Sequence, residues 1–92
     1  MQISNAEEIT GFFKALGNIT RLKIVAELAK NDKCVSDVEN IIGTRQANIS
    51  QHLAVLKKYG VVDCRRDGNM RCYFLRQPEV VKNVLWLLGK KE

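Results

Sequence analysis

The strongest constraint on the fold is the pattern of polar and apolar residues in Thr44–Lys58. Ile49, Leu53 and Leu56 recur at helical spacing and would anchor one face of a helix. The residues off that face are mostly short amides, a hydroxyl and a lysine: Gln46, Asn48, Ser50, Gln51 and Lys57. Such groups suit base edges and phosphates, so the segment is predicted to be a DNA-recognition helix.

The preceding residues favour this interpretation over an ordinary amphipathic surface helix. Val35–Ile42 has the pattern of a short helix with Val38, Ile41 and Ile42 facing inward. Gly43 then permits a sharp reversal before the next helix. Helix, glycine-containing turn and helix together predict a helix-turn-helix.

Two further helices are predicted before this unit. The first begins near Ser4 or Asn5, and its apolar stripe is Ile9, Phe12, Phe13 and Leu16. The second spans 20–29 and is predicted to be a core helix, with apolar residues Leu22, Ile24, Val25 and Leu28. Residues 30–33 are predicted to form a polar turn.

A β-hairpin, or wing, is predicted after the recognition helix. Val61–Arg66 and Met70–Leu75 flank Asp67–Asn69, which is typical of a tight turn. Arg65, Arg66 and Arg71 lie near its tip. We expect these three arginines to act on DNA phosphates or on the minor groove beside the recognition helix, and Arg45 and Lys57 mainly to hold phosphates.

A last helix is predicted from Pro78 onward. Its apolar residues form one stripe: Val81, Val84, Leu85 and Leu88. In a monomer of this size the stripe would remain partly exposed to solvent. We expect the same surface of a second subunit to cover this stripe, and we expect Phe12 of the first helix to contribute to the same dimer contact.

Size and composition bound the remaining possibilities. Ninety-two residues predict a single domain spanning 1–92, and a net charge of +5 favours polyanionic partners without proving them. The chain shows neither a membrane-spanning apolar run nor a signal segment, so a cytoplasmic protein with no membrane contact is expected. Three cysteines without paired spacing predict reduced thiols.

Several of these segments resemble the ArsR/SmtB family of winged-helix repressors. The resemblance rests on Gly17–Ile24, Ile49–Leu56, Gly60–Val62 and the wing, in that order along nearly the whole chain. It implies a mainly helical winged helix-turn-helix with a small β-hairpin, in the order α-α-α-α-β-β-α. It also implies a homodimer that binds a palindromic double-stranded DNA operator, blocks transcription and is released by a metal ion, a metalloid or a thiol oxidant.

The metal ligands of that family do not carry over. Many of its sensors have a Cys-x-Cys pair where this chain has Cys34-Val35-Ser36, and the last helix, 78–92, contains no histidine. No metal site and no cofactor are therefore predicted. The single histidine, His52, is interpreted as a partly buried helix residue or a phosphate donor rather than as a ligand.

The cysteines remain as candidate thiol sensors. With a three-residue loop at 67–69, Cys64 would face Cys72 and could form a disulfide with it. With a two-residue turn at Asp67-Gly68, Cys64 would instead face Arg71, and the pair would separate. Cys34 is a further candidate, although half-buried cysteines that only fill space are the more common case.

Three functions follow from these residues. The leading one is a sequence-specific repressor, and the alternative is a winged-helix module that binds a protein or binds nucleic acid non-specifically. An enzyme has little support, because the chain has one histidine, no glycine-rich phosphate loop and no paired acidic residues. We therefore expect a non-enzymatic protein.

Overall fold

A computed structural model describes residues 3–43 and 46–89, with the backbone alone at residues 46 and 47. Five helices and three strands make up this part of the chain: α1 (Ala6–Leu16), α2 (Ile19–Lys30), β1 (Lys33–Cys34), α3 (Val35–Ile42), α4 (Gln46–Lys58), β2 (Val62–Asp67), β3 (Met70–Leu75) and α5 (Pro78–Leu88). The predicted winged helix-turn-helix is confirmed. None of the described helices has the length and apolarity needed to cross a membrane.

The core lies where α2, α3, α4 and α5 meet the hairpin. Its fully buried side chains come from these helices and from the start of the hairpin: Ile24, Val25, Val38, Ile49, Leu53, Leu56, Val61, Val62 and Val81. The predicted inward face of α4 is thereby confirmed. Leu22 and Ile41, which were predicted to face inward, are exposed because α2 and α3 bury narrower stripes than their sequences suggest.

The sheet contains one strand more than predicted. Its strand order is β1-β3-β2, and both neighbouring pairs are antiparallel. The prediction of a simple polar turn at 30–33 was wrong at its end, because Lys33 pairs with Tyr73 and Cys34 pairs with Cys72. A two-residue strand is too short to show any periodicity in the sequence.

Both predicted registers of the hairpin were wrong. Asp67 pairs with Met70, so the loop consists of Gly68 and Asn69 alone. Gly68 has φ +64°, and no described non-glycine residue has a positive φ. Glycine at the first loop position is the preference of a type II′ hairpin turn. This register places Cys64 opposite Tyr73 and Arg66 opposite Arg71.

Candidate nucleic-acid interface

Gly43 lies at the start of the connection between α3 and α4, the helix that is predicted to read DNA and is called the recognition helix below. Gly43 ends α3 with φ +74°, and its N–H donates to the Glu39 carbonyl oxygen over 2.8 Å. A side chain would be strained in this left-handed conformation, which explains why the sequence has glycine there. At the other end of α3, the Cys34 N–H donates to Asp37 Oδ2 at 3.3 Å.

The outer face of α4 is the predicted polar surface. Ile49, Leu53 and Leu56 are completely buried. The described polar residues of the helix point the other way and are exposed: Asn48, Ser50, Gln51 and Lys57. Arg45 lies outside the described residues, and the Gln46 side chain is likewise not described, so both remain predictions.

The wing presents two of its three arginines on the side of α4. Lys57 Nζ donates to Cys64 Sγ at 3.4 Å, which shows that the Cys64 face of β2 is turned towards α4. Arg66 is two residues further along the strand and shares this face. Arg71 lies directly opposite Arg66, and both side chains are exposed.

Arg65 differs from its two neighbours, so the three arginines are not grouped as predicted. Its guanidinium pairs with Asp32 Oδ2 at 3.2 Å and lies 5.7 Å from the centre of the Phe74 ring. Successive side chains of a strand alternate between faces, which places Arg65 on the side away from Arg66. The pairing with Asp32 was not predictable, because it joins residues that are distant in the chain.

An open groove of about 600 Å³ lies between α3, α4 and the wing. Ser50, Ala54 and Lys57 line it from the recognition helix, and Asn69 and Arg71 line it from the hairpin. Ser50 and Lys57 of α4 and Arg71 of the wing thus border one depression, which Glu39 of α3 also lines. This arrangement can receive an extended polyanion.

His52 lies on α4 but faces the protein. Its Nδ1 is 3.4 Å from Arg21 Nη1, while Arg21 Nε donates to the Ala15 carbonyl oxygen at 2.6 Å. Burial, together with the positive charge of Arg21, lowers the pKa of His52 below its ordinary value of 6.5. The ring is therefore neutral near pH 7. Arg21, which sequence reasoning missed, fixes its orientation.

The cysteine pairing differs from the one considered for the wing. Cys72 forms a disulfide with Cys34 across the β1–β3 pair, and Cys64 is a free cysteine. The hypothesis of a Cys64–Cys72 link and the expectation of three reduced thiols are both corrected. Their failure has one cause: β1 leaves no pattern in the sequence, so Cys64 was the only partner considered for Cys72.

The predicted dimer residues divide between the core and the surface. Val81 is only 1% exposed and belongs to the core of its own protomer, so it offers no surface to a partner. Phe12 and Leu85 are partly buried against that core, and Val84 is also partly buried. Leu88 is 74% exposed, and its neighbour Leu87 is 69% exposed.

Among residues 3–43 and 46–89, no group of three or more His, Cys, Asp or Glu side chains is arranged to hold a metal ion. The described ligand groups therefore do not fit a metal site of that kind.

Comparison with known proteins identifies the family. Residues 18–63 match the family described as "Bacterial regulatory protein, arsR family". The cadmium resistance transcriptional regulatory protein CadC of Listeria innocua is 45% identical over 74 residues, which are 79% of this chain and 62% of that protein. The chain thus spans less than two thirds of the length of this relative.

Two solved structures are similar over nearly the whole chain. The homodimeric winged helix-turn-helix DNA-binding domain Mb0332 of Mycobacterium bovis has a TM-score of 0.82 at 26% identity, covering 94% of this chain and 83% of that one. The transcriptional repressor BigR of Xylella fastidiosa has a TM-score of 0.78 at 28% identity, covering 94% and 91%. With half of its length matched by the family and its fold shared with these structures, the chain belongs to the arsR family of bacterial regulatory proteins.

Proposed function

We propose that the protein is a sequence-specific transcriptional repressor that binds a palindromic DNA operator as a homodimer. The observation that carries the proposal is the Arg66–Arg71 pair beside the polar face of α4. Like charges directly opposite each other in a hairpin are unfavourable in the free protein, and among the described residues neither arginine forms an ion pair. A phosphate between them removes this repulsion.

The recognition helix supplies the sequence specificity in this proposal. Asn48, Ser50 and Gln51 are exposed and carry the hydrogen-bonding groups that distinguish base pairs in the major groove. Gln46 and Arg45 extend the same surface in the sequence. Lys57 and Arg45 act mainly on phosphates, as do Arg66 and Arg71.

The proposed role places the protein in the cytoplasm with the chromosome and makes it a regulator rather than an enzyme. BigR, a repressor, and Mb0332, a homodimeric DNA-binding domain, support the proposal by similarity. No membrane contact is part of the proposal. The exposed apolar residues at the end of α5 support the dimer.

Replacing Gln51 with alanine tests the base-reading role. We expect Gln51→Ala to weaken binding to the operator by roughly 1–3 kcal/mol and to leave binding to random DNA unchanged. Fluorescence anisotropy on a fragment footprinted from the DNA upstream of the protein's own gene, and on a scrambled fragment, measures both. Gln77→Ala is the matched control, because Gln77 is an exposed glutamine in the groove between α1 and α5.

Equal losses on both DNA fragments would contradict sequence reading by Gln51. Absence of any preference for the upstream fragment by the wild-type protein would favour the alternative function, a winged-helix module for protein or non-specific nucleic-acid binding.

A further inference from the structure

We propose that the groove between α1 and the start of α5 is a binding site for a small zwitterion with an apolar body, of which a free apolar amino acid is the simplest example. The groove has a volume of about 470 Å³, within the range of small-molecule sites in proteins. It is separate from the nucleic-acid interface, so the proposal does not depend on DNA binding.

Part of the groove is apolar and open. Ile9, Phe12 and Phe13 line it from α1, and Val80 lines it from α5. Phe13 is 50% exposed, although its ring makes a T-shaped contact with Phe12 at 5.6 Å between the ring centres. The groove therefore offers aromatic surface that the apolar body of a ligand removes from water.

Tyr59 brings the end of the recognition helix to the groove. Its ring packs directly on α1 at Gly11, where a side-chain Cβ would lie 2.7 Å from Tyr59 Cδ1. Any larger residue at position 11 would displace the ring. Tyr59 follows Lys58, the last residue of α4, so a ligand in the groove contacts the segment between the recognition helix and the wing.

The charged groups of the groove are separated by sign. Glu7 and Glu8 belong to α1, whereas Lys58 and Arg76 belong to the other wall, which is formed by the end of α4 and the segment before α5. In the described part of the chain, none of these four side chains forms an ion pair. Acids and bases thus line the same groove without meeting.

Glu8 and Arg76 lie on the two sides of one short segment, Tyr59–Gly60. Glu8 is three residues before Gly11 and therefore on the face of α1 that contacts Tyr59. Arg76 Nη1 lies beside Gly60, 3.6 Å from the position that a Cβ would take there. One acid and one base are thereby held next to the aromatic ring.

This arrangement selects the charge pattern of the ligand. A carboxylate accepts two parallel hydrogen bonds from a guanidinium such as that of Arg76, and an ammonium group donates to a carboxylate such as that of Glu8. A pure anion is attracted by one wall and repelled by the other, and so is a pure cation. A molecule with both charges finds a partner on each wall while its apolar body lies on the aromatic surface.

The experiment uses three compounds that share one aromatic body. L-phenylalanine carries both charges, hydrocinnamate lacks the ammonium group, and phenethylamine lacks the carboxylate. Each is titrated into isotope-labelled wild-type protein, and amide NMR resonances are followed. We expect L-phenylalanine to shift the amides of Gly11 and Gly60 saturably and to leave Gly68 in the wing unchanged. Each analogue should bind on the order of tenfold more weakly, because it loses one charge-assisted contact.

Two substitutions test the walls separately. Arg76→Gln should bind L-phenylalanine about as weakly as wild type binds phenethylamine, and Glu8→Gln about as weakly as wild type binds hydrocinnamate. Both residues are exposed, and the substitutions remove charges of opposite sign, so each controls for the change in net charge made by the other. Lys23→Gln, on the exposed surface of α2 outside the groove, should bind like wild type.

A wild-type protein whose Gly11 and Gly60 amides show no saturable shift with L-phenylalanine would overturn the proposal and leave the groove to solvent or to a second subunit. Equal affinity for the three compounds would also overturn it, because apolar contact alone would then account for binding. Unchanged affinity in Arg76→Gln or in Glu8→Gln would do the same, since the wall concerned would not recognise the ligand.

Discussion

Arg21 connects three helices through one residue. Its backbone N–H donates to the N-cap Asn18 Oδ1 at 3.0 Å, and its Nε donates to Ala15 at the end of α1. Its Nη1 meets His52 of α4. Because a guanidinium has only donors, Nδ1 of His52 is the acceptor and the neutral ring carries its proton on Nε2. The recognition helix is thereby tied to both N-terminal helices.

This arrangement predicts a loss of stability in mild acid. The pKa of His52 is lowered in the folded protein, so below pH 6.5 the unfolded chain takes up a proton before the folded protein does. The stabilisation is complete above pH 6.5 and is lost as the pH falls through the lower, folded-state pKa. His52 is the single histidine of the chain, so no other histidine titrates in this range. Urea unfolding at pH 7.5 and pH 5.5 should show a smaller decrease for His52→Gln than for wild type.

Identical pH dependence in the two proteins would show that the ring is not held neutral by Arg21 and burial. The single histidine also permits a direct check, because its proton resonance in the folded protein should titrate below the ordinary range.

At the scale of the element, the alternation of side chains along β2 places Arg65 and Arg66 of the wing on opposite faces of the hairpin. Arg66 shares the face turned towards α4, whereas adjacent Arg65 pairs with Asp32 on the other side. The two residues have the same charge and both are exposed. They form a matched pair for testing which face of the hairpin meets DNA.

Arg66→Ala should lower affinity for all DNA sequences, and Arg65→Ala should have little effect. The slope of log affinity against log salt concentration should become shallower by about 0.9 for each phosphate that is no longer neutralised, and a dimer carries two copies of the substitution. Salt titrations of anisotropy on random DNA measure this slope. If Arg65→Ala and Arg66→Ala reduce it equally, the charge of the hairpin matters but its orientation does not.

Helices with a clear apolar period were predictable from the sequence. Helix α3 and the start of α5 at Pro78 lie where they were expected, and Ile49, Leu53 and Leu56 are buried as their spacing predicted. These features depend on local pattern and on residues with fixed backbone preferences.

Features that depend on pairing between distant residues were not predictable. Strand β1 forms only because Tyr73 and Cys72 lie beside Lys33 and Cys34. The hairpin register depends on whether the turn uses Gly68 as its first or second residue, and a shift of that kind changes every partner along the strands. The disulfide and the Arg65–Asp32 ion pair both follow from these long-range pairings, so they were missed together.

At the scale of the whole molecule, helix α5 has one side in the core and another in solvent. Val81 and Leu85 face the protomer, while Val80 and Leu87, seven residues apart, are exposed on an adjoining face. Leu88 is exposed in the last turn of the helix. Exposed apolar residues of this number on one helix favour a protein interface. The proposed dimer contact therefore keeps Leu88 of the predicted stripe, adds Val80 and Leu87, and loses Val81 to the core.

Leu88→Lys should therefore give a folded monomer with poor operator affinity. A lysine ammonium in an apolar contact between subunits loses its hydration, whereas the exposed position leaves the protomer core intact. Two recognition helices reach successive major grooves only when a dimer holds them about 34 Å apart, so loss of the dimer removes simultaneous binding to both half-sites.

Sedimentation velocity, circular dichroism and anisotropy on the footprinted fragment measure the oligomeric state, the fold and the affinity. Lys82→Ala is the control, because Lys82 is exposed on the side of α5 opposite Val80 and Leu87. A Leu88→Lys protein that remains dimeric, or a wild-type protein that is monomeric at micromolar concentration and still binds the operator tightly, would place the dimer contact elsewhere.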